Sequence, residues 1–110
     1  MGRHAPNGLG KPGLKLWKSV TYEFDLAEHE AAQLEEAARV RDTIAALREV
    51  VDRDGLMISS SQGSRLHPGV AEIRQQQLAL ARILATLDVP VLAEDDLPAS
   101  SGVRPIRAIG

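Results

Sequence analysis

Few residues in this chain have the type and spacing that chemistry requires. The three histidines, His4, His29 and His67, are scattered, whereas a protein metal site draws its ligands from short, regular intervals. His29 stands four residues before Gln33 instead of a second histidine, which breaks the helical two-histidine pattern of a metalloprotease. Gly8, Gly10 and Lys11 resemble the start of a phosphate-binding loop. The Lys and Ser or Thr that such a loop needs after its spacers are missing, and Pro12 and Gly13 follow instead. Ser59, Ser60, Ser61 and Ser64 cluster with no histidine and acid framework identifiable beside them. These residues point to a protein that is not an enzyme and holds no metal or other cofactor. What remains is charge. Arg3, Lys11, Lys15 and Lys18 all precede the first acid, Glu23, and from Glu23 to Asp54 acids far outnumber arginines. A basic arm ahead of an acidic rod suits a polyanion such as nucleic acid. Lys11, Lys15 and Lys18 are therefore candidate nucleic-acid contacts, with Arg65 a further one in the serine-rich stretch.

The elements that must position these residues follow from apolar periodicity. Leu26, Ala37, Val40, Ile44, Leu47 and Val51 fall on one narrow strip of a helix running from Leu26 to Asp54. The three-four spacing is that of a helix packed on another helix. A second row of Ala27, Ala31, Leu34, Ala38 and Ala45 lies beside the first, and a single partner helix does not easily cover both. Asp25 with Glu28 fits a capping box at the start, and Gly55 suits a left-handed cap at the end. Glu35 before Arg39 and Glu49 before Arg53 are in the favoured order for exposed ion pairs.

Ahead of this rod, Leu9 to Phe24 reads as a short helix with Pro12 in its first turn. Trp17 lies in that helix's apolar stripe, which makes it a core anchor in preference to a base-stacking residue. After the rod, Gly55 to His67 reads as a polar, flexible loop that opens with a brief extended segment at Leu56, Met57 and Ile58. Pro68 starts a second long helix, with His67 as its cap, running to about Leu87 with Val70, Ile73, Gln77, Leu80, Leu84 and Leu87 at heptad spacing. Ala71, Leu78, Ala81 and Ala85 widen its apolar surface beyond the stripe of an ordinary surface helix. Surplus apolar surface on a 110-residue chain points to self-association. The expected interface between copies uses Leu34, Ala38 and Ala45 from the first long helix and Leu78, Ala81 and Ala85 from the second.

The expected organisation is thus all-α: a flexible basic arm over residues 1–8, a helical oligomerisation and DNA-binding domain over 9–90, and a flexible tail over 91–110. Within the domain a short helix precedes a long antiparallel helical hairpin. Cysteine is absent, which removes disulfides and thiolate metal sites from consideration. No apolar run approaches the roughly 18 residues of a membrane span, and Met1 to Asn7 lacks the apolar core of a signal peptide. A soluble intracellular protein with no membrane partner is expected.

Several stretches, taken in order, resemble one family. They are Gly8-Leu9-Gly10-Lys11 running to Leu16-Trp17, Tyr22 to Glu30, Asp52-Arg53-Asp54-Gly55, Leu66-His67-Pro68, and Leu80-Ala81-Arg82-Ile83-Leu84-Ala85-Thr86-Leu87. Together they are similar to the small terminase subunits of tailed phages infecting actinobacteria, over roughly Leu9 to Pro90. The resemblance implies a non-enzymatic component of a viral genome-packaging motor. Such a component forms a ring-shaped homo-oligomer, binds the packaging initiation site on double-stranded viral DNA in the host cytoplasm, and recruits and regulates the large terminase subunit, which carries the ATPase and nuclease. The chain departs from many small terminases in showing no separate helix-turn-helix unit ahead of the hairpin. Two other readings stand beside this one. A small helix-turn-helix DNA-binding regulator would use Leu9 to Phe24 and the start of the next helix, although a second helix of this length is too long for a recognition helix. A coiled-coil scaffold that binds no DNA would explain the periodicity and leave the basic arm idle.

Overall fold

The three expected helices form, and the arrangement follows from which of their faces are apolar. A computed structural model describes residues 3–88 and the backbone of 104–105. In chain order the elements are α1 (Lys11–Glu23), β1 (Phe24–Asp25), α2 (Glu28–Asp54), β2 (Met57–Ser60), β3 (Gly63–Leu66), α3 (Pro68–Leu87) and β4 (Arg104–Pro105). α2 is the spine, about 40 Å long at the usual helical rise. α3 returns antiparallel along it and α1 lies against its first half. The core gathers where all three helices meet: Leu16, Trp17 and Val20 from α1, Leu26, Ala31, Leu34, Ala37 and Ile44 along α2 and its approach, and Leu80, Leu84 and Leu87 from α3. The chain extends 63 × 30 × 19 Å with a radius of gyration of 16.8 Å, whereas a compact domain of this length has about 13 Å. No helix among the described residues is long and apolar enough to cross a membrane.

Punctuation differs from the sequence reading in two places. α2 begins at Glu28 with Ala27 as its N-cap, and Asp25 instead lies in β1. The side chain that reaches back is Glu30, whose carboxylate accepts the Ala27 N–H at 2.8 Å, so the acid half of the expected box is present two residues later. The second difference is at the tip. Residues expected to form a flexible loop build an antiparallel hairpin in which Met57 faces Leu66, Ile58 faces Arg65, Ser59 faces Ser64 and Ser60 faces Gly63. The extended segment expected near Met57 is one of its strands. The serines shape the turn: Ser60 Oγ donates to the Gly63 carbonyl at 2.7 Å and accepts the Gln62 N–H at 3.3 Å. Gly63 takes φ +102°, which only glycine adopts without strain.

Two other sequence signals are met. Pro68 opens α3 behind a His67 cap, and Glu35 pairs with Arg39 at 2.6 Å. Arg53 pairs with Asp54 at 2.9 Å and not with Glu49. Residues 3–8, read as a flexible arm, make specific contacts. Arg3 pairs with Glu28 at 3.1 Å, its carbonyl accepts Trp17 Nε1–H at 3.2 Å, and the Asn7 carbonyl accepts from Arg39 at 3.3 Å. The expected tail over 91–110 lies outside the described residues except for the backbone of Arg104–Pro105, which pairs antiparallel with β1.

Candidate nucleic-acid interface

α1 turns Gly13, Leu16, Trp17, Val20 and Thr21 inward, so the opposite side of the helix is left to solvent. Lys11, Lys15, Lys18 and Tyr22 occupy that side at successive spacings of four, three and four, a single seam about 16 Å long. Lys11, Leu14, Lys15, Lys18, Ser19 and Tyr22 line one shallow surface depression. Lys15 and Ser19 also border a second, shared with Pro12, Leu16 and Arg41. Neither the three lysines nor Arg41 has an ion-pair partner among the described residues. This is a strip of four free cations with a tyrosine, 54% exposed, at one end. Tyr22 and Arg41 did not emerge from sequence reasoning. The signal for Tyr22 was its position four residues after Lys18. Arg41 gave no signal, because only the docking of α1 on α2 brings it beside Lys15.

The glycine-rich turn before α1 also holds an anion, but the anion belongs to the chain itself. The Asp42 carboxylate, from the middle of α2, accepts the Gly10 N–H and the Gly13 N–H at 2.7 Å each. These are two of the amides that a helix start leaves without an internal partner, where negative charge is favoured. Gly13 is required there: a Cβ at that position would lie 2.5 Å from the Ala38 carbonyl and 2.6 Å from Asp42 Oδ2. With Asp42 seated, Gly10 and Gly13 offer a phosphate nothing, and any polyanion on this face must be held by side chains.

His67 is the one buried histidine among the described residues, and it is fully engaged. Its Nδ1 accepts the Gly69 N–H at 2.9 Å and its Nε2 lies 2.9 Å from Asp54 Oδ2. An Nδ1 that accepts carries no proton, so the ring is neutral and Nε2–H donates to the carboxylate. Hydrogen bonds from Arg53 first, and from His67 second, lower the Asp54 pKa from 3.8 to about 2. With both ring nitrogens occupied, the pair ties the end of α2 to the start of α3 and has no free basic nitrogen for proton transfer. Among the described residues no group of histidines and acids is placed to hold a metal ion.

The remaining candidate residues are dispersed. Arg65 is exposed on β3, beyond the end of α2, while Asp42 marks where α1 begins on it; the interval from 42 to 54 alone is about 18 Å. The structure therefore does not bring Arg65 to the lysine strip. The expected interface between copies is also divided. Leu34 and Ala38 are 0% exposed because α1 of the same chain closes over the second apolar row of α2, so they cannot face another copy. Ala45, past the start of α1, is half-buried; Leu78, Ala81 and Ala85 on α3 are exposed. Comparison with protein-family models, curated proteins and solved structures finds no match to this chain.

Proposed function

We propose that this chain is a small terminase subunit. In this reading it binds the packaging initiation site on double-stranded viral DNA, assembles with its own copies into a ring, and recruits and regulates a large terminase subunit in the host cytoplasm. The observation that carries the DNA-binding part is the unpaired strip of Lys11, Lys15 and Lys18, extended by Tyr22 and Arg41. Repeated around a ring, the strip becomes a band of positive potential matched to a phosphate backbone. The uncovered row of Leu78, Ala81 and Ala85 on α3 supports assembly. The 27-residue length of α2 disfavours a helix-turn-helix regulator, whose recognition helix must fit a groove.

The test is duplex binding by fluorescence anisotropy over a range of salt concentrations. Wild-type affinity is expected to fall steeply with salt. In the triple variant Lys11→Ala, Lys15→Ala, Lys18→Ala the slope of log K against log salt flattens by about 0.9 for each phosphate that is no longer neutralised. Unchanged affinity and slope in the triple variant would remove the strip from the DNA-binding surface.

A further inference from the structure

The β2–β3 hairpin stands at the far end of the rod as a two-stranded sheet, and among the described residues no third strand pairs with it. Seven of its eight strand residues are exposed, and only Ile58 is half-buried. A lone two-stranded hairpin in water is marginally stable, and it ordinarily gains a third strand or a helix to pack on. Among the described residues the strands make no substantial contact with any helix. Met57 and Leu66, direct cross-strand partners, are both more than half exposed, and Leu56 beside them is 60% exposed.

The edges are also undefended. Proteins protect a free strand edge with proline, a bulge or charge, above all lysine. β2 reads Met-Ile-Ser-Ser and β3 reads Gly-Ser-Arg-Leu, with neither proline nor acid and with Arg65 the single charge. Each copy thus presents two open edges of equal length and opposite identity, the outer side of β2 and the outer side of β3. A foreign strand would satisfy one and leave the other open. A second copy satisfies both when the contact repeats, because joining unlike edges is a head-to-tail contact, which closes into a ring when the rotation between copies divides a full turn. The hairpin is also continuous with the half of the rod that α1 does not cover, where Ala46 is exposed and Leu47 and Val50 are half-buried.

We propose that the outer edge of β2 in one copy pairs with the outer edge of β3 in the next, so that successive hairpins form one continuous sheet. Backbone hydrogen bonds supply the affinity, as in strand addition generally, and the Met57–Leu66 pairs stack along one face. The proposal rests on the self-assembly proposed above and adds a second contact to it, beside the exposed row of α3.

The chain has no cysteine, so introduced thiols report cleanly. Ser59→Cys and Ser64→Cys variants, one on each strand and both exposed, are co-expressed and then oxidised after purification. Chains linked between positions 59 and 64 are expected, identified by peptide mass, while neither variant links to itself when expressed alone. Hydrogen exchange on the wild-type assembly is expected to show slow exchange at every strand amide, since a lone hairpin protects only the inward-facing half. Linkage of Ser59→Cys to itself, or of Ser64→Cys to itself, would mean like edges meeting about a two-fold axis and would overturn the head-to-tail pairing. Absence of any linkage together with fast exchange at the outward amides would overturn strand pairing altogether. Light scattering separates the two levels: a multimer without 59–64 linkage leaves assembly standing and this contact wrong, while a wild-type monomer removes both.

Discussion

At the scale of single residues, the two carboxylates that matter most do opposite kinds of work. Asp42 holds two backbone amides of another element. Replacing it with Ala should lower stability by about 2–3 kcal/mol, the loss expected for hydrogen bonds to a charged group, read by urea unfolding with Trp17 fluorescence as the probe. Gly13→Ala should destabilise by about 1–3 kcal/mol through overpacking, since its new methyl meets the Ala38 carbonyl; a variant as stable as wild type would show that α1 docks less closely. Asp54 sets a pH dependence. Its pKa is lowered on folding from 3.8 to about 2, so the folded form binds the proton less readily than the unfolded chain. Its contribution to stability is therefore fully present above about pH 4 and disappears as pH falls through about 2. Thermal melts across that window should show a fall that Asp54→Asn lacks. Neither role is visible in the sequence, because Asp42 acts across about thirty residues of chain and Asp54 reads locally only as a helix-end acid before a glycine.

Elements were more legible than residues. The helical repeat of α2 and α3, Gly55 after one and Pro68 before the other, locate the long antiparallel pair to within two residues, since apolar spacing and proline geometry act locally. The hairpin was not legible beyond Met57 and Ile58. Its strands lack the alternating β-branched pattern that identifies strands in sequence, and its serines act as turn residues through side-chain hydrogen bonds. The covering of Leu34 and Ala38 by α1 was hidden for another reason: two adjacent apolar rows require two partners, but periodicity does not say whether the second belongs to the same chain. On α3 the row of Leu78, Ala81 and Ala85 remains exposed, and a charge there should be fatal to assembly while sparing the fold. Leu78→Glu and Ala81→Glu are expected to reduce the light-scattering mass to that of one chain with the far-ultraviolet helical signal retained. A variant of unchanged mass would exclude that row from the interface.

At the scale of the whole molecule, the two ends of the rod differ in character. One end is three helices thick, with the closed core and the free cations; the other is a helix pair capped by an open hairpin. This division suits a protein that binds and assembles. The purified chain alone should neither hydrolyse ATP nor cut DNA, and either activity persisting through further purification would overturn the non-catalytic reading. The attachment of α1 has a mechanical consequence. Its first turn is fastened to the middle of α2 through Asp42, its apolar side is locked by Trp17 and Val20, and Gly13 lets the two backbones touch. A helix held in this way neither slides nor rolls on its support. Tension applied to its outer face passes into α2 as a bending load, and α2 runs on for about 18 Å past the last point of attachment to the hairpin. A load taken up at the cations thus has one continuous helix along which to reach the open strands.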